Sequence, residues 1–216
     1  MPKVKEGYFE EKKAQILDAA FIIFKRKPLY EMTMLDVINE AGLSKGGIYR
    51  YFNDIDAVII ALINRETAQN NYKHKIDEII TNTDTTAGKV ENLFIFLGDY
   101  LKNSPATLGK IQFELTVLIT NHPEKADKYL SNLTEQENGQ YLVNVLLNKI
   151  REGVNNGEFK PIYPLSDIIS YIMSSIDGVV KQAVMKKCYG SNLGNIDETK
   201  IFRIISDSVL YLLGKK

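Results

Sequence analysis

Apolar side chains recur every three to four positions along nearly the whole chain, and no stretch alternates strictly between apolar and polar. The pattern therefore predicts an all-α protein of about nine helices. A first helix over roughly 10–27 sets Ile16, Ala20, Ile23 and Phe24 on one face. It stops at Lys27-Pro28, because the residue before a proline is pushed out of the helical region. Thr33 and Asp36 have capping-box spacing, with Asp in place of the usual Glu or Gln, and open a short helix striped by Met34, Val37, Ile38 and Ala41. Gly42 supplies a turn, Ser44 caps a third helix over about 45–52, and a fourth begins near Ile55. The polar stretch 64–75 is expected to prolong that fourth helix as a solvated connector. The Thr/Asn/Asp run at 81–86 reads as a loop, giving an N-terminal part, 1–60, and a C-terminal part, 61–216. Further helices are predicted near 88–102, up to 120 behind a Ser104-Pro105 start, at 141–150, at 165–187 and at 197–213.

Residues 33–52, TMLDVINEAGLSKGGIYRYF, carry the candidate chemistry. Two short amphipathic helices joined by Ala41-Gly42-Leu43-Ser44 have the turn length of a helix-turn-helix, with Leu43 as the apolar plug between them. Ile48 and Phe52 share an inward face, which leaves Lys45, Tyr49, Arg50 and Tyr51 to other faces. Two aromatics and two cations on so short an element are poorly explained as solvated surface. Gly46 and Gly47 each weaken a helix by roughly 1 kcal/mol relative to Ala. Close backbone approach to another macromolecule is one reason for such a pair, and a loose turn is the other. A helix start also offers free N–H groups and a positive dipole end to a phosphate.

Charge narrows this picture. The 27 Lys plus Arg are balanced by 27 Asp plus Glu, which excludes a polycation that coats nucleic acid by bulk charge. Any nucleic-acid contact must come from a local patch. Over residues 1–53 the acids fall mainly on the first two helices and the third carries none, while Lys3, Lys5, Lys12 and Lys13 are placed to flank it as an arm. The single cysteine, Cys188, excludes an internal disulfide. His74 and His122 match no metal-ligand spacing, so neither metal nor cofactor is expected. The longest apolar run, 57–63, falls far short of the roughly 20 residues of a membrane-spanning helix, and MPKVKEG has no apolar signal core. The expectation is a soluble, cytoplasmic protein with no membrane partner. No nucleophile–base pair or phosphate loop supports an all-α enzyme.

The motifs ILDAAFIIF and TMLDVINEAGLSKGGIYRYF, with the apolar opening of the fourth helix, resemble the DNA-binding domain of TetR/AcrR-type transcriptional regulators. REGVNNGEF, followed by a proline-started helix containing Asp177-Gly178, is loosely similar to that family's ligand domain. The resemblance implies a homeodomain-like three-helix head, a C-terminal helical ligand-binding and dimerisation domain, and a ligand-responsive repressor. Its operator would be double-stranded and palindromic. A related DNA-binding protein with an architectural or nucleoid-occlusion role is the alternative. Residue by residue, it implies that Thr33 caps a helix end touching a phosphate and that Ser44, Lys45, Gly46 and Gly47 form the turn and start of the recognition helix. Tyr49 falls on the phosphate-contacting tyrosine, and Arg50 and Tyr51 on variable positions facing backbone or base edges. Lys45 and Arg50 suit guanine O6/N7 in the major groove. Where the family often has a lysine this chain has Ile55, and Asp54 beside it is expected to be mildly repulsive to phosphate.

Each helix-turn-helix reads only a few base pairs, so two copies about 34–36 Å apart are needed. Ile172, Ile176, Val180, Val184, Ile201, Ile205 and Leu212 on the last two helices are the expected homodimer surface. Phe96, Tyr100, Phe113, Val117, Tyr141 and Met173 are candidates to line a site for a small apolar or amphipathic effector. Asp177, an acid within an apolar helix, is either a ligand contact or a structural hydrogen-bonding group.

Overall fold

The computed structural model describes residues 7–69, 72–103, 107–133, 137–190 and 196–215. Lys3, Lys5 and the Ser104-Pro105 start lie outside them. The described residues form eleven α-helices and two short 3-10 turns, with no strand among them. The packing divides the chain into two compact units that interleave in sequence: 1–69 with 111–135, and 70–110 with 136–216. A boundary placed after residue 60 assigns 111–135 to the second part of the chain; the packing groups it with the first.

In the first unit, α1 (Tyr8–Arg26) packs on α2 (Met34–Ala41) and α4 (Ile55–Gln69), with α3 (Lys45–Tyr49) between the last two in sequence. Ile16, Ala20, Phe24, Val37, Ile48, Phe52, Val58 and Leu62 fill its core. The Thr33 capping box is present: Asp36 N–H donates to Thr33 Oγ1 at 3.2 Å, and Thr33 N–H donates to Asp36 Oδ2 at 2.8 Å. Gly42 takes the left-handed conformation, φ 63°, that ends α2 without a Cβ penalty. Gln15 Nε2 donates to the Ala41 carbonyl at 3.0 Å, tying α1 to the turn. The unit also holds most of α7 (Thr107–Asn121), a 3-10 turn at Pro123–Lys125 and α8 (Ala126–Asn132). Buried Glu114 on α7 accepts the Leu29 N–H at 2.8 Å.

The predicted single helix from 55 through 75 is two. After α4 the chain leaves helical geometry at Tyr72, φ −118° and ψ 12°, and α5 runs over Lys73–Thr81. Nor is the polar end of α4 fully solvated. Glu66 and Thr67 are buried, and Arg65 bonds Asp18 at 2.7 Å and Glu66 at 2.8 Å.

The second unit is built from α5, α6 (Thr86–Asn103), α9 (Glu137–Asn155), α10 (Leu165–Tyr189) and α11 (Glu198–Leu212). Here α6 is the central helix, packed on α9 and most extensively on α11. A Cβ on Gly98 would meet the Thr199 Cα at 2.8 Å, so the glycine sets how closely α6 and α11 approach. Phe94 and Phe202 face each other in that core, with ring centroids 6.5 Å apart.

Candidate nucleic-acid interface

The recognition element is shorter than its apolar pattern predicts. Regular helix covers the five residues Lys45–Tyr49, and Arg50 and Tyr51 continue as a turn. Ser44 caps it, its Oγ accepting the Gly47 N–H at 3.1 Å. Ile48 and Phe52 point into the core, as their spacing predicts. That inward anchoring leaves the rest of the element facing solvent. Lys45, Gly46 and Arg50 are exposed, Tyr49 is 40% exposed and Tyr51 is half-buried. Lys45 Nζ lies 5.8 Å from the centre of the Tyr49 ring, so one cation and one phenol share the outer face. Thr33 is exposed at the start of α2.

The two glycines have different reasons to be glycine. A Cβ on Gly47 would press on the capping hydroxyl of Ser44 at 3.2 Å, while one on Gly46 meets nothing within 4 Å. Packing within the chain therefore accounts for Gly47, while at Gly46 it leaves room for a side chain. Both sit in regular helix rather than in a loose turn.

This capped, glycine-opened element on a three-helix scaffold is where the comparisons with known proteins converge. The profile of bacterial regulatory proteins of the tetR family matches residues 16–62, and that of the tetracyclin repressor-like C-terminal domain matches 96–188. The chain belongs to the TetR family of bacterial transcriptional regulators. It is 29% identical to the HTH-type transcriptional regulator YfiR of Bacillus subtilis, over 85% of each chain. Among solved structures it is similar to the fatty acid degradation regulator FadR from Bacillus halodurans. The identity is 24%, with TM-score 0.61 over 96% of this chain and 97% of that one. It is also similar to FadR from Bacillus subtilis, solved in complex with stearoyl-CoA, at 21% identity, TM-score 0.55, and 93% and 96% coverage. These two likenesses are of fold. As a TetR-family regulator the protein binds DNA and controls transcription, and the first profile spans the whole helix-turn-helix.

The remaining sequence candidates fall unevenly on this TetR-family frame. Phe96 and Tyr100 come together on α6 with Tyr72, with ring centroids 4.8 to 6.0 Å apart. Burial pushes the Tyr72 hydroxyl well above the usual phenol range, and Tyr100 adds to the shift. Tyr141 on α9 is drawn elsewhere. It hydrogen-bonds Asp77 on α5, which raises its pKa, and Lys73 lies 5.7 Å from its ring centre. Met173 on α10 is half-buried, and Phe113 and Val117 belong to the first unit. Asp177 is exposed, so it carries no burial penalty and needs no buried partner. Two cavities, of about 450 Å³ beside Arg26 and Asp36 and about 40 Å³ beside Tyr30 and Asp56, lie in the first unit and include none of these seven residues.

The packing places the expected dimer surface unevenly. Ile172, Ile176, Val184 and Ile205 are buried in the chain's own core, and Val180, Ile201 and Leu212 are half-buried, packed against it. The large apolar and aromatic residues exposed on α10 and α11 are Tyr171, Tyr189, Ile204 and Tyr211, the last 70% exposed. A broad apolar arc on a helix signals burial on several sides, and here the second unit's own helices supply most of it.

One further residue beside the reading element, Phe9, carries no signal in the sequence, and Asp54 is placed differently from the expectation. Phe9, 54% exposed in the first turn of α1, stacks on Tyr51 with centroids 4.6 Å apart. Asp54 is not a loose repulsive charge. It caps α4 by accepting the Ala57 N–H at 2.8 Å and pairs with Lys128 at 2.8 Å, and the Lys128 hydrogen bond holds its carboxyl below the usual range.

Proposed function

We propose that this TetR-family regulator is a ligand-responsive repressor that binds a palindromic operator as a homodimer in the bacterial cytoplasm. The observation that carries the reading is α3 itself: capped by Ser44, anchored by Ile48 and Phe52, with Lys45, Gly46, Tyr49 and Arg50 turned outward. In this reading Lys45 and Arg50 contact base edges, and Thr33, Ser44, Tyr49 and Tyr51 contact the phosphate backbone. Gly46 and Gly47 let the helix start approach the duplex. Dimerisation uses the outward face of α10 and α11 around Tyr171, Ile204 and Tyr211, which joins two copies into a four-helix arrangement.

The effector is apolar or amphipathic, and the Tyr72, Phe96 and Tyr100 group offers aromatic surface with two phenols to orient it. It is bound and released unchanged, and it acts by favouring a dimer whose two reading helices are wrongly spaced. Stearoyl-CoA, the ligand of one fold relative, is the first molecule to test.

The experiment is selection of duplex DNA from a random pool by the purified chain, followed by light scattering of the complex and titration with stearoyl-CoA and free fatty acids. The reading predicts one palindromic sequence, a dimer on it, and release by an amphipathic ligand. A monomer on DNA, or operator affinity unchanged by every ligand shown to bind, contradicts it.

A further inference from the structure

The first turn of α4 is held by a polar cluster that the recognition surface does not use. Asp56 is buried there. Its Oδ1 accepts Lys125 Nζ at 3.0 Å and the Tyr129 hydroxyl at 2.9 Å, and its Oδ2 accepts Lys128 Nζ at 2.9 Å. Lys128 also bridges to Asp54, the cap of α4, at 2.8 Å. The Tyr129 ring is fully buried. All three donors come from one short segment, the end of the 3-10 turn and the first turn of α8.

Burial alone would push the Asp56 carboxyl up. The hydrogen bonds from Lys128, Lys125 and Tyr129 outweigh it and hold the group below its ordinary value, so the cluster is ionised and satisfied. Such a cluster is a poor way merely to glue two helices, since apolar pairs of similar volume stabilise as well or better. Charge-assisted hydrogen bonds differ from apolar contacts in fixing direction and register.

That distinction matters at this place in the chain. Asp54 and Asp56 follow closely on Phe52, the anchor of a five-residue α3. So short an element cannot set its own angle and inherits it from its two buried anchors and from the helix that follows. A cavity of about 40 Å³ bordered by Leu29, Met32, Ile59, Leu118, Asp56 and Lys125 leaves one side of the cluster loosely packed. On that side the cluster's hydrogen bonds carry more of the geometry than apolar contact does.

We propose that Asp56 is a positioning residue for operator reading: held by Tyr129, Lys125 and Lys128, it fixes the first turn of α4 and so the angle at which α3 meets DNA. The segment 123–129 is then a second place, outside the helix-turn-helix, from which operator affinity is set. The inference rests on α3 being the DNA-contacting helix.

The test uses the full chain, the operator found by selection, and a random duplex at the same salt. The variants are Tyr129→Phe, Lys128→Gln, Lys128→Arg and Asp56→Asn, each measured well below its own melting midpoint. Tyr129→Phe and Lys128→Gln should weaken operator binding roughly 5- to 10-fold and leave random-DNA binding within about 2-fold, as expected for one member of a coupled network. Lys128→Arg, which keeps the charge and donors, should restore most of the affinity. If Asp56→Asn fails to fold, these milder variants decide. Folded variants that melt lower but bind operator like the wild type, or that lose operator and random DNA equally, overturn the positioning role. Arg50→Ala is the control on the reading face. If it abolishes selectivity while Tyr129→Phe and Lys128→Gln keep theirs, the positioning role alone fails. If the wild-type chain selects no sequence, the reading of α3 fails with it.

Discussion

The two compact units are built by different physics. In the first, directional polar contacts organise short helices: the Thr33–Asp36 box, the Ser44 cap, the Gln15 bond to the Ala41 carbonyl and the Asp56 cluster. In the second, longer helices meet through shape. Val90, Leu93 and Phe94 fill one side of α6, and glycines sit where a Cβ would not fit, at Gly98 against Thr199 and at Gly153 against the Phe159 ring. A surface that must fit one rigid partner needs its orientation fixed by hydrogen bonds with few alternatives. A unit held together chiefly by its own core can be specified by volume.

The largest effects should come from breaking the one apolar anchor the first unit cannot spare. Ile48→Ala removes a fully buried side chain beneath α3 and should cost roughly 2–5 kcal/mol, read from urea denaturation, with operator binding lost as the element frays. In the second unit the corresponding break is overpacking. Gly98→Ala drives a Cβ to 2.8 Å from the Thr199 Cα, a backbone atom that cannot rotate away, and should cost roughly 1–3 kcal/mol. Hydrogen exchange should localise that loss to α6 and α11, with DNA affinity per folded molecule unchanged. Arg50→Ala should leave the melting temperature alone and cost roughly 1–3 kcal/mol of specific affinity at one operator position; an equal loss on random DNA would make Arg50 a phosphate contact only.

Acid should separate the units more gently. Asp36, Asp54 and Asp56 are held below the ordinary carboxylate range. For Asp36 and Asp56 burial pulls the other way and is outweighed by hydrogen bonds, from Lys27 and Thr33 in one case and from Lys128, Lys125 and Tyr129 in the other. Groups with a depressed folded pKa stabilise fully above their unfolded value, roughly pH 4, and lose that stabilisation as pH falls through the folded value. Glu152, Glu158 and Asp197 hold the second unit in the same direction, but all three are exposed and screened by solvent, whereas Asp56 is buried. The first unit should loosen first below about pH 4, seen as amide exchange at Val58 and Leu62 rising before that at Leu93 and Phe94. Lys128→Gln should flatten that difference. The smallest effect is expected of Phe9→Ala, which removes the stack on Tyr51: roughly 0.5–1 kcal/mol in operator affinity and little in stability, because Phe9 is already exposed.

What the sequence made legible follows the same division. Thr33, Gly42 and Ser44 announce themselves because caps and turns demand particular residue types at fixed offsets. Ile48 and Phe52 were readable as inward because their helical spacing leaves one face for both. The length of α3 was not, since the apolar spacing runs on to Phe52 although regular helix stops at Tyr49. Asp56 was invisible for another reason: its partners Lys125, Lys128 and Tyr129 lie some seventy residues on, and no local pattern reports a contact at that separation. In α10 the apolar arc was plain, but Ile172 and Ile176 look the same in sequence whether they meet their own chain or a second copy. The packing buries both within their own chain and leaves Tyr171, Ile204 and Tyr211 exposed. Asp177 looked exceptional among apolar neighbours only until its face of the helix was seen to be exposed.

The claim on which the functional account stands is that α3 enters a duplex and reads it. The direct measurement is in-vitro selection of DNA by the wild-type chain and by Arg50→Ala in parallel. The account predicts that the wild type enriches a palindrome with half-sites about one helical turn apart, or a multiple of it. Arg50→Ala should enrich the same palindrome with preference relaxed at one base pair of each half-site. No enriched sequence from the wild type, or an unchanged base preference in the variant together with weaker binding to every duplex, would contradict it.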